Sequence, residues 1–130
     1  MKSFEPVYKE LEELFIHKLP DYIEKINKEH NDGIIITKFE NKLFKEKGIK
    51  KPSFTFELKQ TEYSEKDRII ETNTYLIKIF INITESSLII FSRYVEAIDL
   101  MVREQETKFK YKITNIYDTI IDITISNEYY

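Results

Sequence analysis

The apolar residues in the first third of the chain recur at the three- and four-residue spacing of an amphipathic helix. Pro20 falls inside this stretch, and proline lacks an amide donor and clashes with the preceding turn. We therefore expect two helical pieces, about 5–18 and 20–30. Asn31-Asp32-Gly33 predicts the helix end, because Asn and Gly tolerate a left-handed C-terminal residue. The apolar stripe comprises Val7, Leu11, Leu14, Phe15, Tyr22, Ile23 and Ile26.

A run of β-branched residues follows the helical stretch. Ile34–Thr37 predicts a short strand, because three isoleucines and a threonine suit a pleated surface. The lysine-rich stretch Lys38–Lys51 predicts a polar connector with one helical turn at Asn41–Lys45, and Gly48 and Pro52 mark its end.

Two segments alternate strictly between apolar and polar residues. The alternation at 54–58 and at 75–83 predicts two strands, each with one buried and one exposed face. If Leu58 pairs near Tyr75, the hairpin turns at about Lys66–Asp67. The intervening residues then form a long arm with few apolar side chains. Such an arm is marginal by itself and needs support from something else.

The most regular helical pattern lies in the second half of the chain. Ser86 or Ser87 can cap a helix that we expect over about 86–106. Arg93, Glu96 and Asp99 lie outside its apolar stripe. The stripe comprises Leu88, Phe91, Tyr94, Val95, Ile98, Met101 and Val102.

The last segment is apolar at odd positions, over 109–113 and again over 121–125. Two strands of one hairpin place odd residues on the same face only if the loop has an odd number of residues. A three-residue loop at 116–118 would pair Ile113 with Ile121. One long bent strand is the alternative. Asn127–Tyr130 is expected to fray.

These elements predict a single α+β domain over residues 1–130. Its expected architecture is a mainly antiparallel sheet of four to five strands, with helices packed on one face and a long β-hairpin arm. With 130 residues, the chain has the size of one ordinary domain.

Composition narrows the classes of function. A net charge of −3, from 20 Lys+Arg and 23 Asp+Glu, excludes a strongly basic nucleic-acid coat. There is no cysteine, which excludes disulfides and thiolate chemistry. No apolar run reaches the ~18 residues of a membrane span, and the N-terminus has no signal-peptide pattern. The abundance of Ile and Lys is typical of an A/T-rich bacterial or phage genome.

The sequence offers little for catalysis. His30 and Asp32 at a helix end could bind a cation, but no second histidine is placed to join them, and a solvated helix terminus is favoured. His17 is expected at the surface. No Gly-x-Ser-x-Gly motif is present, and glycine at 33 and 48 alone gives no phosphate-binding loop. We expect neither an enzyme nor a cofactor or metal site.

The best candidates for function are protein-contact residues. The hairpin arm carries both charge signs together with side chains that suit interfaces. In the connector, lysines could touch phosphate or a neighbouring protein, or could simply be solvated. The candidates are Tyr63, Lys66, Arg68, Ile69 and Ile70 in the arm and Lys45, Lys50 and Lys51 in the connector.

The element order resembles the tail terminator (tail completion) proteins and small neck proteins of long-tailed phages. The family has an N-terminal helix, a long β-hairpin, a helix across the sheet and a closing strand. The stretch Asn31–Lys51, with its lysines, does not map onto the family. The resemblance is carried by Val7–Asn31, Pro52–Leu58, Asn73–Ile81, Arg93–Ile98 and Lys110–Thr114.

The resemblance implies a structural role. Such proteins form rings, commonly hexamers, that cap the tail tube and meet the neck or connector proteins, and the hairpin would reach a neighbouring subunit. It implies no sequence-specific nucleic acid and no membrane as partner. Assembly would take place in the cytoplasm of the bacterial host, and the protein would end in the virion tail. The alternative is a small protein-binding module, such as an immunity or antitoxin-like protein, with one partner.

Overall fold

A computed structural model of the chain describes residues 4–39, 41–42, 52–65 and 69–129. Within them, a five-stranded sheet has the strand order β1-β2-β3-β5-β4, and helices pack on one face, which confirms the predicted α+β class. Among the described strands, β1 and β2 are the only parallel pair. The elements are helix α1 (Phe4–Glu13), a π turn (Leu14–Lys18), helix α2 (Leu19–His30), strands β1 (Asn41–Lys42), β2 (Ser53–Glu65) and β3 (Ile69–Phe80), helix α3 (Ser87–Glu104), and strands β4 (Lys110–Tyr117) and β5 (Ile120–Tyr129).

Pro20 does not split the N-terminal helix, so the prediction of two separate pieces was wrong. The helical path runs on through the wider π turn, in which the Leu19 amide donates to the Leu14 carbonyl five residues earlier. In an ordinary α-helical turn, Pro20 would lack a backbone hydrogen bond and its ring would clash with the preceding turn. The wider π turn lies immediately before Pro20. The predicted end holds: Asn31 is left-handed, with φ of 41°.

Ile34–Thr37 is extended but not a strand, which corrects that prediction. Helix side chains rather than a neighbouring strand satisfy its backbone. Asn27 accepts from the Ile36 amide and donates to the Ile36 carbonyl, at 2.9 and 2.8 Å. The helical turn predicted at Asn41–Lys45 is wrong at its start, where β1 pairs with β2. Residues 43–45 lie outside the described part.

The first hairpin has the predicted register, with Leu58 opposite Tyr75. A bulge between Leu58 and Gln60 shifts the pairing by one residue, and Glu65 then lies opposite Ile69. The turn predicted at Lys66–Asp67 lies outside the described residues. The second strand ends earlier than predicted, at Phe80, and the Ile83 side chain is 92% exposed.

Strand β5 pairs with residues 69–78 of β3, which is all but the last two residues of that strand. The pairing extends from Lys78↔Ile120 to Ile69↔Tyr129. The expected fraying of Asn127–Tyr130 was therefore wrong for residues 127–129. The distal half of the hairpin also gains a third strand, so it is less isolated than its polar composition suggested.

The second hairpin closes through a two-residue turn rather than the predicted three-residue loop. Tyr117 pairs with Ile120, and Asp118 and Thr119 both have positive φ, 47° and 64°. The one extra residue that keeps the odd-numbered side chains of both strands on the same face lies instead in a bulge after Ile113. Ile113 therefore faces Ile123, not Ile121, and the alternative of one bent strand is also wrong.

The core lies between the helices and the inner face of β2, β3 and β5. Ile77, Ile98 and Ile121 are fully buried there. Helix α3 has the predicted extent within a residue or two, but two of its positions were misassigned. Leu88 is 79% exposed although it was placed in the stripe, and Arg93 is 5% exposed although it was placed outside.

Candidate functional site

From here on, the arm means the distal half of the first hairpin, residues 60–65 and 69–74. In the arm, Tyr63 is 51% exposed, Ile69 is 39% exposed and Ile70 is half-buried. Five other predicted contact residues lie outside the described residues. They are Lys66 and Arg68 near the predicted turn and Lys45, Lys50 and Lys51 in the connector. The structure thus places an exposed aromatic side chain and an exposed aliphatic one at this end of the sheet.

A buried polar network lies on the inner face of the arm. Asn73 and Glu71 are both fully buried. The Thr61 hydroxyl donates to the Asn73 side-chain oxygen at 2.7 Å, and the Asn73 amide donates to Glu71 at 3.1 Å. A buried polar group without a partner costs free energy, so these bonds fix the arm in one conformation. Both residues are polar and lie outside the apolar alternation of the strand, which is why their burial was not predicted.

The outer face of the sheet carries an ion pair beside the arm. Asp122 is 3% exposed, and Lys59 approaches it to 3.1 Å across β3. The Tyr117 hydroxyl lies 3.3 Å from the other carboxylate oxygen. The hydrogen bond to Asp122 and the charge of that carboxylate raise the pKa of Lys59 above its ordinary value. These contacts join the bulged part of β2 to β5.

Both long edges of the sheet are open in the described part of the chain. Strand β1 pairs only with Ser53 and Phe54, so no described strand lies beside residues 55–65 of β2. Strand β4 pairs with β5 on one side and has no described strand on the other. Open edges present unpaired backbone donors and acceptors to any further strand.

The two edges carry opposite charge. On β2, the exposed side chains include Glu57, Glu62 and Glu65 together with one lysine, Lys59, which is paired with Asp122. On β4, they include Lys110 and Lys112. One edge is therefore predominantly acidic and the other basic, and this was not evident from the sequence because the sheet order was unknown.

The histidines and Asp32 are engaged in structural contacts. His30 lies 2.9 Å from Glu96, and His17 is exposed 3.8 Å from Glu13. Asp32 binds Arg93 through both carboxylate oxygens. The Arg93 hydrogen bond, with the Ile34 amide, holds the pKa of Asp32 well below its ordinary value. Among the described residues, no group of three or more acidic or histidine side chains could hold a metal ion.

Two tyrosines, the buried Tyr94 and the partly buried Tyr111, stabilise the packing. The Tyr94 hydroxyl donates to the Thr37 carbonyl at 2.6 Å, and the Tyr111 hydroxyl donates to Glu10 at 2.8 Å. Burial raises the pKa of both phenols, and Glu10 raises that of Tyr111 further. Both therefore remain neutral hydrogen-bond donors that tie the helices and the extended segment to the sheet.

Sequence reasoning missed an apolar surface at the N-terminal end of α3. Ile83, Leu88 and Ile35 are 92%, 79% and 70% exposed. A groove of about 210 Å³ lies beside them, and Ile35, Ile81 and Ile90 are among its lining residues. The isoleucine run at 34–36 was the available signal, but it was interpreted as a strand.

The sequence matches no protein-family model. No curated protein shows significant similarity to it. Within the described residues, no helix combines the length and the apolar character that crossing a membrane requires.

Proposed function

We propose that this protein is a structural, non-enzymatic component of a phage or prophage tail. In this proposal it forms a ring, of hexameric size in keeping with the resemblance, that caps the tail tube and joins it to the neck or connector proteins. The partners would be further copies of the same chain and the proteins above and below the ring, without sequence-specific nucleic acid. The ring would assemble in the host cytoplasm and remain in the virion.

The observation that carries the proposal is the long open edge of β2 with Tyr63 exposed on it. Eleven residues of this strand, 55–65, have no neighbouring strand in the described chain, although the strand is stiffened by β3 and β5. A rigid, unpaired edge readily binds another strand. A partly exposed tyrosine beside it is the kind of side chain that anchors interfaces.

Electron microscopy of the purified protein mixed with tail tubes tests the proposal. We expect ring-shaped particles in the absence of tubes and additional density at one end of the tubes in the mixture. Particles that remain single subunits at high concentration, with bare tube ends, would contradict it. An unrelated protein of similar size serves as the control for non-specific attachment.

A second candidate function, a small protein-binding module of the immunity or antitoxin-like kind, is favoured by the apolar surface near α3. Leu88 and Ile83 project there with most of their area exposed. Exposed apolar surface of this kind commonly marks a partner site. This candidate predicts a complex of one chain with one partner, whereas the ring predicts a multiple of identical chains. Native mass spectrometry of the complex purified from its own cell separates the two.

A further inference from the structure

The sheet order places two complementary edges at opposite sides of one molecule. Strands β2, β3, β5 and β4 are neighbours in that order, and each runs antiparallel to the next. With four alternating strands, the edge strands β2 and β4 run in opposite directions. A second copy in the same orientation would therefore set its β2 antiparallel to β4 of the first, with the helices of both copies on the same face.

One of the rows that cross the sheet ends in side chains of opposite charge. Glu62, Thr72, Ser126 and Lys110 form one row, so an acidic and a basic side chain lie at its two ends. Directly paired residues point to the same face, and this row is on the outer face, opposite the helices. A copy added without displacement along the strands would bring its Glu62 next to Lys110.

The apolar side chains on the inner face of the two edges also fit this pairing. Leu58, Tyr75, Ile123 and Ile113 form a row on the helix side. Leu58 is 43% exposed at the β2 edge. At the β4 edge, Ile113, Ile116 and Val95 line a groove between β4 and α3. The same undisplaced addition would cover the exposed Leu58 with Ile113 and this groove.

We propose that copies of this chain join edge to edge, with β2 of one subunit paired antiparallel to β4 of the next. The inference rests on the proposed ring and names its interface. Pairing of β2 with β2 would bring the acidic residues Glu57, Glu62 and Glu65 of two copies together, and pairing of β4 with β4 would do the same for Lys110 and Lys112. Like charges across an interface oppose association, so the heterologous contact is favoured. A heterologous contact generates rings when its rotation closes.

A charge-swap experiment tests this interface. Glu62→Lys puts like positive charges, and Lys110→Glu like negative charges, at the two ends of the row that joins these positions. Each variant alone is expected to associate at least on the order of tenfold more weakly than wild type. In an equal mixture, position 62 of one variant, now basic, meets position 110 of the other, now acidic, and the unchanged pair of Glu62 and Lys110 forms at the remaining contact. Association is therefore restored, with the two variants present in equal numbers.

Native mass spectrometry counts the two variants in each particle, and circular dichroism verifies that each is folded. Glu24→Lys and Lys28→Glu on the exposed face of α2 are matched controls that should leave association unchanged. If either edge variant fails to fold, mixing Gln60→Lys with Lys112→Glu repeats the recovery test two rows away on the same face, since these residues also share a row.

The outcomes separate the interface from the ring itself. Equal incorporation in the mixture supports the interface. If the wild type forms particles and each edge variant still assembles alone, the proposed interface is wrong and the ring stands. The same conclusion follows if the mixture of the two variants does not regain association. Loss in Glu62→Lys alone, with Lys110→Glu unaffected, would also overturn the interface, because it indicates a contact at the β2 edge in which β4 takes no part. A wild-type protein that stays monomeric overturns both.

Discussion

At the scale of single residues, Arg93 determines the course of a segment far from it in the chain. Its guanidinium lies almost fully buried, binds both oxygens of Asp32 and donates to the Ile34 carbonyl at 2.7 Å. A buried cation needs such partners, because its desolvation is otherwise uncompensated. The pair therefore holds the extended segment after α2 against α3, next to the apolar groove.

The Asp32–Arg93 pair predicts a pH-dependent stability. The folded-state pKa of Asp32 is lowered by the Arg93 hydrogen bond and the Ile34 amide. A lowered pKa stabilises the fold above the unfolded-state value of 3.8, and this contribution is lost as the pH falls toward the folded-state value. Asp32→Asn should therefore unfold at lower urea concentration than wild type at pH 7, and the difference should shrink on acidification below about pH 5.

Asp21→Asn, at an exposed position of α2, is the control and should leave the urea midpoint at pH 7 nearly unchanged. An Asp32→Asn deficit that stays constant across the acid range would show that the carboxylate charge does not stabilise the segment.

Thr119 gives a second prediction at this scale. Its φ of 64° is a left-handed conformation that strains a β-branched residue, and two-residue hairpin turns of this type favour glycine at the second position. Thr119→Gly should raise the free energy of unfolding by about 0.5–1 kcal/mol, measured by urea titration. Thr124→Gly, in the extended strand β5, should lower it instead. Destabilisation by both variants would argue against the strained turn.

At the scale of elements, the sequence predicted those that depend on local periodicity and missed those that depend on distant partners. The extent of α3 and the pairing of Leu58 with Tyr75 follow from spacing and alternation. The bulge after Ile113 does not, because parity allows the odd residue either in the loop or in the strand. The segment Ile34–Thr37 was misassigned because its backbone partners are side chains of Asn27, Arg93 and Tyr94 rather than a strand.

The candidate site was predicted in part. The exposed Tyr63 and Ile69 follow from the polar pattern of the arm. The burial of Asn73 and Glu71 does not, because it depends on β5 lying beside β3. The opposite charges of the two sheet edges likewise required the strand order, since Glu62 and Lys110 are far apart in the sequence.

At the scale of the whole molecule, stability and assembly should depend on different residues. Tyr63→Ala removes an exposed side chain at the β2 edge and should weaken self-association with little change in thermal stability, because Tyr63 is half exposed. Ile98→Ala empties a fully buried site and should cost about 2–5 kcal/mol of unfolding free energy. Calorimetry and analytical ultracentrifugation measure the two effects. A Tyr63→Ala variant that loses stability and association equally would indicate that the residue acts through the fold.

One face of the sheet is covered, and its two long edges are open in the described part of the chain. Helices shield the inner face of the sheet, whereas β2 and β4 leave both long edges of the described sheet available. Edges of opposite sign on one rigid unit favour repeated head-to-tail addition, which is the geometry a ring needs.

The most direct test of this account is the molar mass of the wild-type protein in solution. Size-exclusion chromatography with multi-angle light scattering, run over a range of concentrations and at low and high salt, measures it. The account predicts a defined multiple of 15.7 kDa, six-fold for a hexamer, that dissociates toward the single chain as salt screens the edge charges. A mass of 15.7 kDa at every concentration and salt would contradict it.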